Sequence, residues 1–152
     1  MRLQSPSIHI PSAATLSPRL TFEHYVATEQ GWDGGNVKIS INGGAFTLVP
    51  PEAFTFNPYN QNLNTAAQGN TNPLAGQPAF TGTDGGQVTS TWGQSQIDLT
   101  RAGVKPGDRI VLRFDFGMDG CTGIDGWYVD DVKVRSCNVR RAEGKKETAK
   151  DD

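Results

Sequence analysis

The sequence predicts an all-β domain, built as an antiparallel sandwich or barrel, and three observations carry that prediction. Apolar and polar residues alternate in short runs, most plainly at Val37–Ile41 and Arg109–Phe116. Turn-forming residues such as Asn42-Gly43-Gly44 and Pro106-Gly107-Asp108 separate these runs, in a chain with 18 Gly and 9 Pro. No part of the body shows helical periodicity.

The elements follow in order. Residues 1–18 are polar, carry three prolines and read as a lead-in with one short strand around Ile8–Ile10. Arg19–Val26 alternates, with Leu20 and Phe22 on one face and Thr21 and Glu23 on the other. Gly34-Gly35 is a turn signal. Val37–Ile41 then sends Val37, Ile39 and Ile41 inward, and Asn42-Gly43-Gly44 has the residue types of a hairpin turn leading into Ala45–Val49. Pro50–Gly86 is rich in Asn, Gln, Gly, Pro and Thr, and reads as a long decorated loop. Gln87–Leu99, Arg109–Phe116 and Trp127–Val134 are the remaining strands. Asn138–Asp152 is charged, almost without apolar residues, and is expected to be disordered. These readings place the domain at residues 19–138, with a tail at 139–152.

Composition narrows the function. The chain has 152 residues, enough for one domain with a real core. A formal net charge of −2 argues against a nucleic-acid partner, which would require a basic face. No stretch approaches the roughly 18 apolar residues of a membrane span. Met1–Pro11 is polar and lacks the apolar core of a signal peptide, so an exported form would be a fragment or mature form of a longer chain. Cys121 and Cys137 are the only two cysteines and flank one glycine-rich motif. An even count at close spacing suits a disulfide and an oxidising, extracellular compartment. Two separate buried thiols are the alternative.

The carboxylates point further. Asp130 shares strand parity with Val132 and Val134, and Asp33 shares it with Val37, Ile39 and Ile41. If both strands are regular, both carboxylates face the core side at strand ends. An unpaired carboxylate there shifts its pKa or finds a cation. Ca²⁺ takes six to eight oxygens and suits such a pair, with Glu29 as a third ligand. The competing reading has Asp33 capping a turn and Asp130 pairing with Arg113 or Arg135. The Asp119–Asp125 loop is also acidic and glycine-rich but does not match an EF-hand loop.

Three stretches carry a resemblance. LTFEHYVATEQGWDGGNVKISINGG, IDLTRAGVKPGDRIVLRFDFGMDGC and GWYVDDVKV together resemble the MAM-like jelly-roll domain of secreted bacterial proteins. The sequence is similar to the accessory module of immune inhibitor A-type metallopeptidases and other exported hydrolases. The resemblance spans Leu20 to Cys137 and is most specific at Glu29–Gly35 and Gly126–Val132. It implies a two-sheet antiparallel jelly roll of the MAM or concanavalin-like kind. It also implies structural calcium, on Glu29, Asp33 and the Asp130-Asp131 pair.

No catalytic role is expected. His9 and His24 are the only histidines, so no HExxH zinc motif exists, and there is no G-x-S-x-G. The sequence therefore reads as a secreted, non-catalytic accessory module, bracing a neighbouring catalytic domain or contacting an extracellular protein or glycan. The alternative is a carbohydrate- or peptide-binding module that uses the aromatic and amide residues of 54–80. The plainer reading of those aromatics is that they anchor the long loop.

Overall fold

The computed structural model describes residues 1–12, 17–83, 91–120 and 123–136. Both cysteines and the 139–152 tail lie outside these residues. The strands run in chain order: β1 (Arg2–Gln4), β2 (Ile8–His9), β3 (Arg19–Ala27), β4 (Gly34–Ile41), β5 (Thr47–Leu48), β6 (Phe54–Phe56), β7 (Gln61–Asn62), β8 (Pro78–Ala79), β9 (Gly93–Asp98), β10 (Arg109–Gly117) and β11 (Gly126–Arg135). Every pairing between them is antiparallel.

The strands form two main layers. One sheet has the order β1-β10-β4-β5, with β2 also on β10, and the other has the order β11-β3-β9-β6. The inner faces meet in one core that contains Leu20, Phe22, Val37, Ile39, Ile97 and Leu112, all at most 1 % exposed. Burying each such side chain contributes about 1.5–3 kcal/mol. The alternation along β3, β4 and β10 is the reason these strands sit where they do. The two-sheet antiparallel sandwich expected from the sequence is present. Among the described residues, no helix is long and apolar enough to cross a membrane.

Three local expectations change. First, the lead-in belongs to the sandwich. Arg2–Gln4 pairs with Arg113–Asp115, and Ile8–His9 pairs with Arg109–Ile110, so these short strands cover the edge of β10. The short strand expected around Ile8–Ile10 is β2; β1 is hidden by its polarity, because an edge strand needs few apolar residues. Second, Gly34-Gly35 is not a turn but the start of β4. A Cβ on Gly35 would lie 2.0 Å from the Trp127 ring, and one on Gly34 would lie 2.5 Å from the Phe80 carbonyl. The two glycines let the Trp127 ring and the Phe80 backbone approach the strand closely.

Third, the 50–83 segment is ordered by its own side chains. Phe54, Tyr59 and Phe80 are buried in the main core, and Leu63, Leu74 and Ala79 form a small second cluster. Buried Asn70 and Asn72 both donate to the Trp32 carbonyl, at 3.2 and 2.8 Å. Their Oδ1 atoms accept the backbone N–H of Asn72 and Leu74. Asn60 grips Thr81 through both its N–H and its carbonyl. The amides here replace a sheet ladder as partners for buried backbone groups.

Candidate metal centre

The connection from β3 to β4 builds the site. Trp32 and Asp33 donate their backbone N–H groups to the Glu29 carbonyl at 3.1 and 3.0 Å, closing a tight turn. The Thr28 and Thr81 hydroxyls donate to the Asp33 carbonyl at 3.1 and 2.6 Å. These bonds hold Glu29 and Asp33 on one side of the turn. Gly117 on β10 pairs with Gly34 on β4, so the chain leaving β10 passes beside Asp33. Asp119 sits there and donates its backbone N–H to Asp33 Oδ1 at 2.8 Å.

The result is a cluster of three carboxylates. Glu29, Asp33 and Asp119 each offer an oxygen, and these oxygens lie within 4.8 Å of one another. The Asp33 residue is 1 % exposed. Glu29 Oε2 is buried and has no hydrogen-bond partner among the described residues. A cavity of about 120 Å³ adjoins Asp33, lined also by Thr28, Phe116, Met118 and Gly126. Burial raises the Asp33 pKa, the Asp119 N–H opposes that rise, and the nearby Asp119 and Glu29 charges add to it. An all-oxygen, carboxylate-rich donor set of this kind suits a hard divalent cation.

Of the four acidic positions expected to hold metal, the structure brings two together. Glu29 and Asp33 meet; Asp130 and Asp131 lie elsewhere, exposed on β11. The cause is a break in register between Asp130 and Lys133. Before it, Trp127 and Val129 face the core opposite Val26 and His24; after it, Val134 faces the core opposite Leu20. Counting parity back from Val134 therefore assigns Asp130 to the wrong face. Asp130 lies opposite Glu23 on the outer side. Asp131 adopts a left-handed backbone with φ of 50°, and Asp130 Oδ1 accepts its N–H at 2.7 Å. The double aspartate thus forms a β-bulge, in which a short acceptor side chain stabilises the irregular residue after it. Neither Arg113 nor Arg135 is its partner; Asp131 pairs with Lys133. The carboxylate of the cluster that parity overlooks is Asp119, whose acidic glycine-rich loop is its only sequence signal.

His24 is the other buried ionisable group of interest. It is 4 % exposed and packs against the Phe22, Phe80 and Trp127 rings. Trp127 Nε1–H donates to Nδ1 at 3.1 Å. Ser95 Oγ lies 3.0 Å from Nε2 and donates its own proton to the Asn57 carbonyl at 2.7 Å. Because Nδ1 accepts from Trp127, the proton of the neutral ring sits on Nε2, which also lies 3.2 Å from Asn57 Nδ2. Burial lowers the His24 pKa to about 4, with Glu23 opposing. Both nitrogens are committed to holding β3, β9 and β11 together.

Comparison of the sequence with protein-family models and with curated proteins finds no match.

Proposed function

We propose that this domain is a non-catalytic β-sandwich module of a secreted protein, clamped by a structural calcium ion at Glu29, Asp33 and Asp119. The observation that carries this reading is the buried carboxylate cluster itself. One member, Asp33, is almost wholly enclosed, and Glu29 Oε2 has no donor among the described residues. Carboxylates crowded in this way repel, and each loses solvation. A bound cation offsets both penalties. Main-chain carbonyls and water would complete the shell.

The clamp joins the β3–β4 turn to the loop that follows β10. Sites of this kind on extracellular modules work at calcium concentrations of about 10⁻⁴–10⁻³ M. The resemblance to MAM-like accessory domains supports the same reading, and a neighbouring peptidase or other hydrolase domain is the proposed context. A non-catalytic role is supported by His24, whose two nitrogens serve packing and hydrogen bonding. Calcium titration of chelator-treated protein, followed by calorimetry, tests the proposal. Heat of binding at one site per chain is expected, and its loss in Asp33→Asn identifies the cluster as that site.

The second reading, a binding surface on residues 54–80, loses most of its residues. Phe54, Tyr59 and Phe80 are core, and Asn60, Asn70 and Asn72 are bonded to the segment's own backbone. Phe56 alone of those aromatics is exposed.

A further inference from the structure

The outer face of the β11-β3-β9-β6 sheet has a composition that folding does not require. The register sets it out in rows. Tyr128 lies opposite Tyr25, Lys133 opposite Thr21 and Gln96, and Arg135 opposite Arg19. Phe56 on β6 lies beside Gln96. All these residues share the side away from the core, where Leu20, Phe22 and Ile97 point.

At one end the face carries a cluster of rings. Tyr25 lies 6.2 Å from Trp92 and 5.8 Å from Tyr128, with the rings inclined at 46° and 71°. Trp92 is 56 % exposed and Tyr128 is 50 % exposed. A Tyr128 hydroxyl bond to Asp125 at 2.9 Å steadies one of these rings. Exposed rings are costly to leave in water and common where a ligand stacks. At the other end lies a trough of about 360 Å³, lined by Arg19, Thr21, Gln96, Asp131, Lys133 and Arg135 among others. It contains three cationic side chains and one carboxylate, in a chain whose net charge is −2. Between the two ends Glu23 and Asp130 lie opposite each other, so a ligand must be uncharged where it crosses the middle of the face; there Gln96 donates to Gln94 and Gln94 donates to Glu23, at 2.6 and 2.7 Å. These bonds orient the amides before any ligand arrives. The β-bulge places Asp131 at the trough, so the irregularity in β11 has a consequence on this surface.

From Tyr25 to Arg19 the strand rises through six residue steps, or about 20 Å. That length suits a chain of sugars rather than a single one. Rings take the apolar faces of sugars, oriented amides take hydroxyls, and a cationic trough takes carboxylates. We propose that this face binds an acidic oligosaccharide, with neutral sugar faces on Trp92 and Tyr128 and a uronate carboxylate at Arg19, Lys133 and Arg135. The surface is separate from the carboxylate cluster, so the inference stands independently of the calcium clamp.

Calorimetric titration tests it. The probes are uronate oligosaccharides (oligogalacturonate, oligomannuronate and glucuronoxylan fragments), neutral oligosaccharides of matched length, and polyglutamate. The expected result is binding of at least one uronate oligosaccharide, with neutral chains and polyglutamate at least about tenfold weaker. Trp92→Ala weakens that binding about tenfold or more, whereas Trp92→Phe retains most of it. A paired Arg19→Gln and Lys133→Gln variant weakens it and reduces its salt dependence. Melting curves confirm that each variant is folded. Three results overturn the proposal: no uronate oligosaccharide binds, polyglutamate or a neutral chain binds as well as the best uronate, or folded Trp92→Ala binds like the parent.

Discussion

Asp33 and Asp115 are both buried, at 1 % and 3 % exposure, and sit on neighbouring parts of one sheet. Asp33 immediately precedes β4, and Asp115 lies on β10, the strand paired with it. Their surroundings differ in sign. Asp115 has Lys38 at 3.1 Å and a two-bond contact with Arg113 at 2.8 and 2.9 Å. Burial pushes its pKa up, but Arg113 and Lys38 outweigh burial and hold it below the usual value. Asp33 has Glu29 and Asp119 as neighbours, and its pKa is raised. The lesson is that burial alone does not define a metal site. At Asp115 the chain supplies the counter-charge; at Asp33 the described neighbours Glu29 and Asp119 carry the same charge, and in the proposed function a bound cation compensates them.

The largest effect should come from Asp115. Asp115→Ala leaves Lys38 and Arg113 without their buried partner and should cost about 3–5 kcal/mol in denaturant unfolding. The loss should be the same with and without calcium. A calcium-dependent loss would break the contrast between the two aspartates.

His24 should have the next largest effect, and it separates pH effects of burial from those of charge. Its folded pKa is about 4, against 6.5 for the free side chain. Between these values the unfolded chain binds the extra proton, so stability is full above pH 6.5 and falls as the pH drops toward 4. The fall should amount to about 3 kcal/mol. His24→Gln should flatten that part of the stability–pH curve.

The two aspartates should themselves titrate in opposite senses. Asp33 has a raised folded pKa, so without metal its contribution is most favourable below its unfolded value and is lost as the pH rises through the folded value. Asp115 has a lowered folded pKa, so its contribution is present above the unfolded value and is lost as the pH falls through the folded one. In chelator, Asp33→Asn should therefore be neutral or stabilising near pH 7. A clear destabilisation there would mean that the cluster is already compensated without metal.

The smallest effect belongs to the exposed bulge. Asp131→Gly relieves a left-handed backbone but removes the Lys133 pair, so the net change should stay within about 1 kcal/mol.

Much of the fold was legible because alternation in β3, β4 and β10 is regular and both faces have distinct tasks. Asp33, which strand parity sets on the core side, is buried just ahead of β4. The same count failed at Asp130, since one bulge exchanges the faces and nothing in Gly126–Val134 announces it. Asp119 was hidden for a different reason: its approach to Asp33 follows from pairing of Gly117 with Gly34, which is remote in sequence. The plainer reading of the 54–80 aromatics, that they anchor the loop, matches the burial of Phe54, Tyr59 and Phe80; a surface remained the alternative because composition does not distinguish an amide bonded to water from one bonded to its own loop. The rings of Tyr25, Trp92 and Tyr128 come from three separate parts of the chain, and only the fold unites them.

The central claim is that the carboxylate cluster is a calcium clamp, and thermal unfolding of chelator-treated protein tests it most directly. Calcium at about ten to a hundred times its dissociation constant should stabilise the fold by about 1–3 kcal/mol, raising Tm by several degrees. Asp33→Asn and Asp119→Asn should abolish most of the rise, while Asp130→Asn and Asp131→Asn should leave it intact. An unchanged melting curve on adding calcium, or a rise that survives in Asp33→Asn and is lost in Asp130→Asn, would contradict the account.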